Sequence, residues 1–260
     1  MKLILLSLVL NFSVFANPHL NYHDWGQNGH RVVGEVAEQY LTKRAKRKIS
    51  KLLDGQSLAV ISTYADEIKS NNKFDKFKPW HYANVDFHMT YLESKPSEKG
   101  DIVIGIKKCF EVLKDKKASK SDKVFYLKML VHLIGDMHQP LHFGKKEDRG
   151  ANDFKVKWFY KNSNMHRVWD TEMIRSYNMS YSELADNLDP LSKHQLVEIQ
   201  KGSLLDWVED TRELTIKVYN SAEANENLSY KYMYQWFEVV KLQLNKGGIR
   251  LAIILNEIFG

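Results

Sequence analysis

The chain of 260 residues contains a single cysteine, Cys109. An intrachain disulfide framework is therefore excluded, and so is a zinc site closed by several thiolates. Cys109 lies in an apolar helical stretch, residues 102–113, where a thiol reads as a core residue and not as a nucleophile. Long apolar runs are also missing. Residues 3–10 and 249–259 both fall short of the roughly 20 residues that a membrane span requires. No repeat, low-complexity tract or linker interrupts the chain, so one large domain is the simplest organisation.

What is present begins with a leader. Lys2, the apolar residues 3–10 and the small-residue site Val14-Phe15-Ala16 read as an export signal over residues 1–16, with cleavage there or as late as residue 24. A single domain over 25–260 follows, and a secreted or periplasmic location is expected, with no stable membrane association. Hydrophobic residues make up 43% of the chain and aromatics 12%, enough to fill a core. The formal charge of +6 suits a polyanionic partner. The basic run at 43–48, however, reads more simply as the solvated end of a helix.

Helical periodicity dominates. Val32, Val33, Val36, Ala37, Tyr40 and Leu41 mark one apolar stripe over about 29–51. Val124, Leu127, Leu130, Val131 and Ile134 mark a second, and Leu204, Leu205, Trp207, Val208, Thr211, Leu214 and Val218 a third. Residues 232–244 and 249–259 suggest two closing helices divided by Gly247-Gly248. Residues 153–160 partly alternate apolar and polar, and 161–164 suggest a turn after them, hence a small hairpin. The fold class expected is all-α: a single mostly helical domain with a small β-hairpin insertion.

The chemistry is concentrated in two motifs. Residues 132–142 read His-Leu-Ile-Gly-Asp-Met-His-Gln-Pro-Leu-His, and residues 166–170 read His-Arg-Val-Trp-Asp. His132 and Asp136 are four apart and share one helix face; His166 and Asp170 repeat that spacing. Pro140 breaks the helix and lets His142 turn back toward the same pocket. Imidazole with carboxylate and no thiolate suits a catalytic zinc site with an open position better than a closed structural one. Partners must come from upstream, where Asp66 follows Ala65, His81 precedes Tyr82, and Trp25-Gly-Gln-Asn-Gly-His30 places a histidine five residues after a tryptophan. Taken singly each of these is weak: a lone histidine is usually a core residue, and a lone aspartate before a helix usually a cap. His138 is expected to point away from His132, behind the ligands or at the surface.

Taken together, these motifs, in order from Trp25 to Asp170, resemble the zinc-dependent single-strand-specific nucleases of the S-one/P-one type. The resemblance implies a phospholipase C-like helical fold and three Zn2+ ions. Asp66, His81, His132 and Asp136 would hold one ion; His142, His166 and Asp170 a second; His30, a shared Asp136 and the amine and carbonyl of Trp25 the third. Trp25 would have to begin the mature chain, whereas cleavage after Ala16 leaves residues 17–24 ahead of it, so the third ion depends on further trimming. The resemblance further implies that Asp86 orients or deprotonates the attacking water and that Lys69 stabilises charge on the phosphate. Taken alone, Asp86 reads equally as a turn aspartate, and Lys69 as a solvated lysine. Tyr82 would stack on a base. Asn84 stands where fungal members carry an aspartate that bonds the base, and it can donate as well as accept. The loop 148–152 would lie near the metals and offer Asn152.

The activity so implied is endonucleolytic hydrolysis of single-stranded DNA and RNA to 5′-phosphorylated products, with 3′-nucleotidase activity, in a monomer. Two rivals remain at the level of sequence. A zinc-dependent phospholipase C shares the fold but ends its histidine motif in glutamate, where this chain has Asp170. A non-catalytic, zinc-stapled nucleic-acid-binding protein would need neither Lys69 nor Asp86.

Overall fold

In the computed structural model residues 26–260 are described; the leader expected over 1–16, residues 17–24 and the candidate ligand Trp25 lie outside them. The first helix, α1 (Gln27–Tyr40), buries Val32, Val33, Val36 and Ala37 along one face. The stripe read as continuous over 29–51 is in fact two helices. Leu41 and Thr42 are extended, and the Thr42 hydroxyl caps α2 (Lys43–Leu52) by accepting from the Ala45 N–H at 3.1 Å. Within the basic run only Ala45 is buried, and the lysines and arginines face solvent as expected.

Short helices α3 (Leu58–Ile61) and α4 (Tyr64–Glu67) lead through 3-10 turns at Ile68–Ser70 and Asn72–His81. Helix α5 (Ile102–Lys114) starts where the Asp101 carboxylate accepts from Val103 and Ile104 N–H, both at 3.0 Å. Cys109 is fully buried on it, and burial pushes its thiol up beyond any nucleophilic range. Helix α6 (Lys120–Met137) is capped by Ser119, and every residue from 129 to 137 is buried. A helix covered all round has to run through the middle of the molecule, and α6 carries the first histidine motif there. It ends at His138, and a 3-10 turn at Pro140–Phe143 reverses the chain.

The insertion is a three-stranded sheet in the order β2-β1-β3, with β1 (Lys155–Trp158) antiparallel to β2 (Lys161–Asn164). Residues 161–164, read as the turn, are the second strand. The turn is Phe159-Tyr160, both at positive φ of 48° and 67°. Two-residue hairpin turns of this kind usually carry Asn-Gly, so aromatics there hid it. After the hairpin, α7 (Met165–Arg167), a π-turn at Val168–Glu172 and α8 (Met173–Tyr177) form one helical run.

Helices α9 (Tyr181–Asp186), α10 (Lys193–Gln200) and α11 (Leu204–Tyr219) each open with a capping box, from Ser180/Glu183, Ser192/Gln195 and Ser203/Asp206. Strand β3 (Asn227–Leu228) pairs parallel to β1 and had no sequence signal at two residues. The two closing helices are one, α12 (Tyr230–Phe259), of 30 residues. Gly247 and Gly248 do not divide it. They let it press against α1: a Cβ on Gly248 would stand 2.4 Å from the Cβ of Val36. Among the described residues no helix is long and apolar enough to cross a membrane.

That approach makes Gly248→Ala a test of the α1–α12 contact. Overpacking costs about 1–3 kcal/mol, more than the ~1 kcal/mol of helix propensity that alanine gains. Thermal denaturation should show a midpoint lowered by several degrees; an unchanged or raised midpoint would contradict so close a contact.

Candidate metal centre

All eight described ligand candidates converge between α1, α4, α6, the Pro140–Phe143 turn and the α7–α8 run. Asp136 is the hub. One of its carboxylate oxygens, Oδ2, lies 2.9 Å from His81 Nδ1 and 3.1 Å from His132 Nε2. The other, Oδ1, lies 3.4 Å from His30 Nε2 and 3.3 Å from His142 Nδ1. Asp66 approaches from α4, with Oδ1 3.3 Å from His132 Nε2 and 3.7 Å from His81 Nδ1. Asp170 sits 3.7 Å from His142 Nε2 and 3.8 Å from His166 Nε2. Three groups of potential ligand atoms result: His30/Asp66/His132, His81/His132/Asp136 and His142/His166/Asp170. Neighbouring ligand atoms in a tetrahedral zinc shell stand roughly 3.3 Å apart, given Zn–N and Zn–O bonds near 2.0–2.2 Å, and the separations above bracket that value.

Backbone carbonyls orient the rings. Nδ1 of His132 donates to Ser62 O at 2.7 Å, that of His142 to His81 O at 2.8 Å, and that of His166 to Gly150 O at 2.7 Å. Each bond fixes the tautomer that leaves Nε2 as a lone-pair donor toward the cluster. Gln139 does the same for a carboxylate: its Nε2 donates to Asp170 Oδ1 at 2.9 Å while its Oε1 accepts from Leu141 N–H at 2.6 Å. Gly150 can present its carbonyl because residues 149–151 all adopt positive φ, between 56° and 65°. Gly135 leaves room for the His30 ring, since a Cβ there would lie 2.6 Å from His30 Nδ1.

The electrostatics are those of a cation site. Burial lowers His30, reinforced by its stacked neighbour His132 with ring centroids 3.8 Å apart. Burial also pulls His81 down to about 4, and the nearby Lys69 charge adds to the effect. Burial opposes charge on His132 too, yet Asp136 and Asp66 outweigh it and hold that imidazole well above its usual range. For Asp136 burial is likewise overcome, by His132 and His142, so its carboxylate stays ionised. His132 Nε2 thus lies where the Asp66 and Asp136 carboxylates meet, the position a metal ion would take. Asp136 Oδ1 and Asp170 Oδ2 are buried and make no hydrogen bond among the described residues. Buried carboxylates of this kind are paired or coordinate metal, and an all-nitrogen-and-oxygen donor set fits zinc.

A cleft of about 350 Å³ opens over His81, His142 and His166, and Tyr82, Asn84 and Asn152 line it. Tyr82 is 46% exposed; Asn84 Nδ2 donates to Gly144 O and Asn152 Nδ2 to Arg149 O, both at 2.9 Å. Lys69 pairs with a ligand candidate, its Nζ 2.9 Å from Asp66 Oδ1. Asp86 is set apart: its Oδ1 accepts from His88 N–H at 2.8 Å, and it lines an adjoining cavity. His138 takes the first of its two expected placements, behind the ligands: it is fully buried, donating from Nδ1 to Ile134 O at 2.8 Å with Nε2 3.3 Å from Arg250. The orienting carbonyls of Ser62 and Gly150 and the close packing on Gly135 were not foreseen. The two carbonyls leave no mark on sequence, but a glycine inside the apolar α6 motif was a visible anomaly.

Several buried His/Asp groups able to hold metal lie beside an open cleft in a helical bundle, and comparison with known proteins gives the class of the site. The S1/P1 Nuclease family model matches residues 25–260. Endonuclease 2 of Arabidopsis thaliana is 26% identical over 99% of this chain and 97% of its own length. Endonuclease 3 of the same plant is 30% identical over 90% and 89%. Nuclease S1 of Aspergillus oryzae is 25% identical over 96% and 97%. The chain belongs to the S1/P1 nuclease family, and hydrolysis of phosphodiester bonds is its class of reaction.

Removing an orienting group behind a ligand usually weakens metal affinity 10–100-fold. Gln139→Ala should do so here. Competition with a chromogenic chelator measures it, and retention of full affinity would show that the Gln139–Asp170 bond is not part of the metal site.

Proposed function

We propose that this protein is an exported zinc-dependent endonuclease that cleaves single-stranded DNA and RNA, leaves 5′-phosphates, and also acts as a 3′-nucleotidase. The observation that carries the reading is the convergence of five buried imidazoles and three carboxylates beneath a cleft lined by Tyr82, Asn84 and Asn152. Asp66, His81, His132 and Asp136 would hold one zinc, His142, His166 and Asp170 a second, and His30 with Asp136 and Trp25 a third. Zinc bound there supplies Lewis acidity, ionising water near neutral pH and neutralising the non-bridging oxygens of a phosphodiester.

The chain's own residues do the rest. Lys69 brings an ammonium to the edge of the ligand set, where phosphate charge develops, and its ion pair with Asp66 aims it. Asp86 supplies a carboxylate beside the cleft to orient or deprotonate the attacking water. Tyr82 offers an exposed ring to a base, which favours single strands because a base must leave its stack to reach it. Asn84 keeps its Oδ1 for the base while Nδ2 is fixed on Gly144, and Asn152 frames the opposite side. Export rests on Lys2, the apolar residues 3–10 and the Val14-Phe15-Ala16 site.

Zinc-loaded protein should digest single-stranded DNA and RNA faster than duplex DNA, and a chelator should abolish the activity until zinc is restored. If the loaded protein leaves both polymers and 3′-mononucleotides intact, the reading fails. Lys69→Gln is expected to lower kcat by about 10²-fold with little change in KM, the usual effect of deleting a charge-stabilising donor. Asp86→Asn should lower kcat by 10²-fold or more. A normal kcat in either variant would remove that residue from the mechanism.

A further inference from the structure

Beside the metal cleft lies a second and larger cavity of about 770 Å³. The two share the walls formed by Asn84 and Lys146. One side is the segment after Val85, which Arg212 ties to α11 by donating to the carbonyls of Asp86 and Met89. The other side is the loop after Gly144. The floor is Phe154 and Tyr219, and the Tyr219 hydroxyl accepts from Lys145 N–H at 3.1 Å and donates to Asp148 Oδ1 at 2.8 Å. Phe87 stands edge-on to Tyr219 with centroids 5.0 Å apart. Lys145 Nζ lies 5.0 Å from the centre of the Phe87 ring and 5.1 Å from that of Tyr219. The pocket is thus aromatic, pre-shaped on several sides and open.

We propose that this cavity is a second nucleotide subsite, which takes the base of a neighbouring nucleotide in the same strand. The inference rests on the nuclease reading and extends it. The volume falls in the ordinary range for small-molecule sites. Its charges set which part of a nucleotide goes where. Asp86, Glu147 and Asp148 line the space together with Lys145 and Lys146, a mixed lining with no excess of positive charge to hold a bare phosphate. A neutral base needs none, and the carboxylates can accept from base amino groups. The phosphate linking the two nucleotides belongs at the shared wall, where Lys146 is exposed. Phe87 provides the ring face, and such stacking tolerates any base.

A length series of single-stranded oligonucleotides tests this on the zinc-loaded enzyme. Stacking on an aromatic is worth roughly five- to hundredfold in affinity per base. Wild type should therefore show one added nucleotide at which KM falls by about tenfold. Phe87→Ala should remove that step and leave the shorter substrates within about twofold of wild type. Phe87→Leu keeps an apolar group against Tyr219 but lacks a planar face; it should fold with a near-normal thermal midpoint and also lose the step. The proposal is overturned if wild type shows no step, if the step survives in both variants, or if every length loses activity equally. Failure of wild type to cleave any length would instead sink the nuclease reading on which the inference stands.

Discussion

The structure turns on one buried carboxylate. Asp136 has no exposed surface, yet it stands within 3.4 Å of four imidazoles, His30, His81, His132 and His142. An ionised group in an apolar bundle is tolerable only when opposite charge surrounds it. The helix that carries Asp136 is covered all round, so the charge cannot turn to water. Each element that brings a ligand has to be pinned at a defined angle around it. The pins are ordinary backbone contacts: Ser62 O holds His132, His81 O holds His142, and Gly150 O holds His166. His81 is both a ligand candidate and the group that orients His142, which joins two parts of the site into one unit.

The fold serves that unit. Helix α6 delivers His132 and Asp136 from one face, and the Pro140–Phe143 turn delivers His142 within one reversal of the chain. The small sheet sits directly before Met165 and His166 and fixes where the last motif begins. Gly26 donates its N–H to Asp170 O at 2.6 Å, which ties the start of α1 to the last ligand motif. Behind the site, Gln243 donates to His138 O and Arg250 faces the His138 ring, which ties α12 to the end of the ligand helix.

Much of this was legible in the sequence for a physical reason. A spacing of four on a helix fixes relative position almost alone, so His132/Asp136 and His166/Asp170 could be placed without a structure. A proline after a helix predicts a reversal, and His142 follows. The failures have a different character. The break at Leu41-Thr42 is a cap inside an apolar stripe, and periodicity ignores caps. Gly247 and Gly248 read as a helix break because glycine has low propensity; tertiary packing against Val33 and Val36 gives them another use. The hairpin turn carries aromatics, stabilised in part by Asn227, whose side-chain oxygen accepts from Tyr160 N–H from 67 residues away. The carbonyls of Ser62 and Gly150 orient ligands by position alone, which no residue type announces.

The account stands on cations, and not protons, holding these carboxylates and imidazoles together. Anomalous diffraction at the zinc absorption edge, from crystals of the zinc-loaded protein, tests that most directly. Peaks are expected among Asp66, His81, His132 and Asp136, among His142, His166 and Asp170, and beside His30 and Asp136. A map without peaks there, with the rings and carboxylates in direct ion pairs at full zinc saturation, would contradict it.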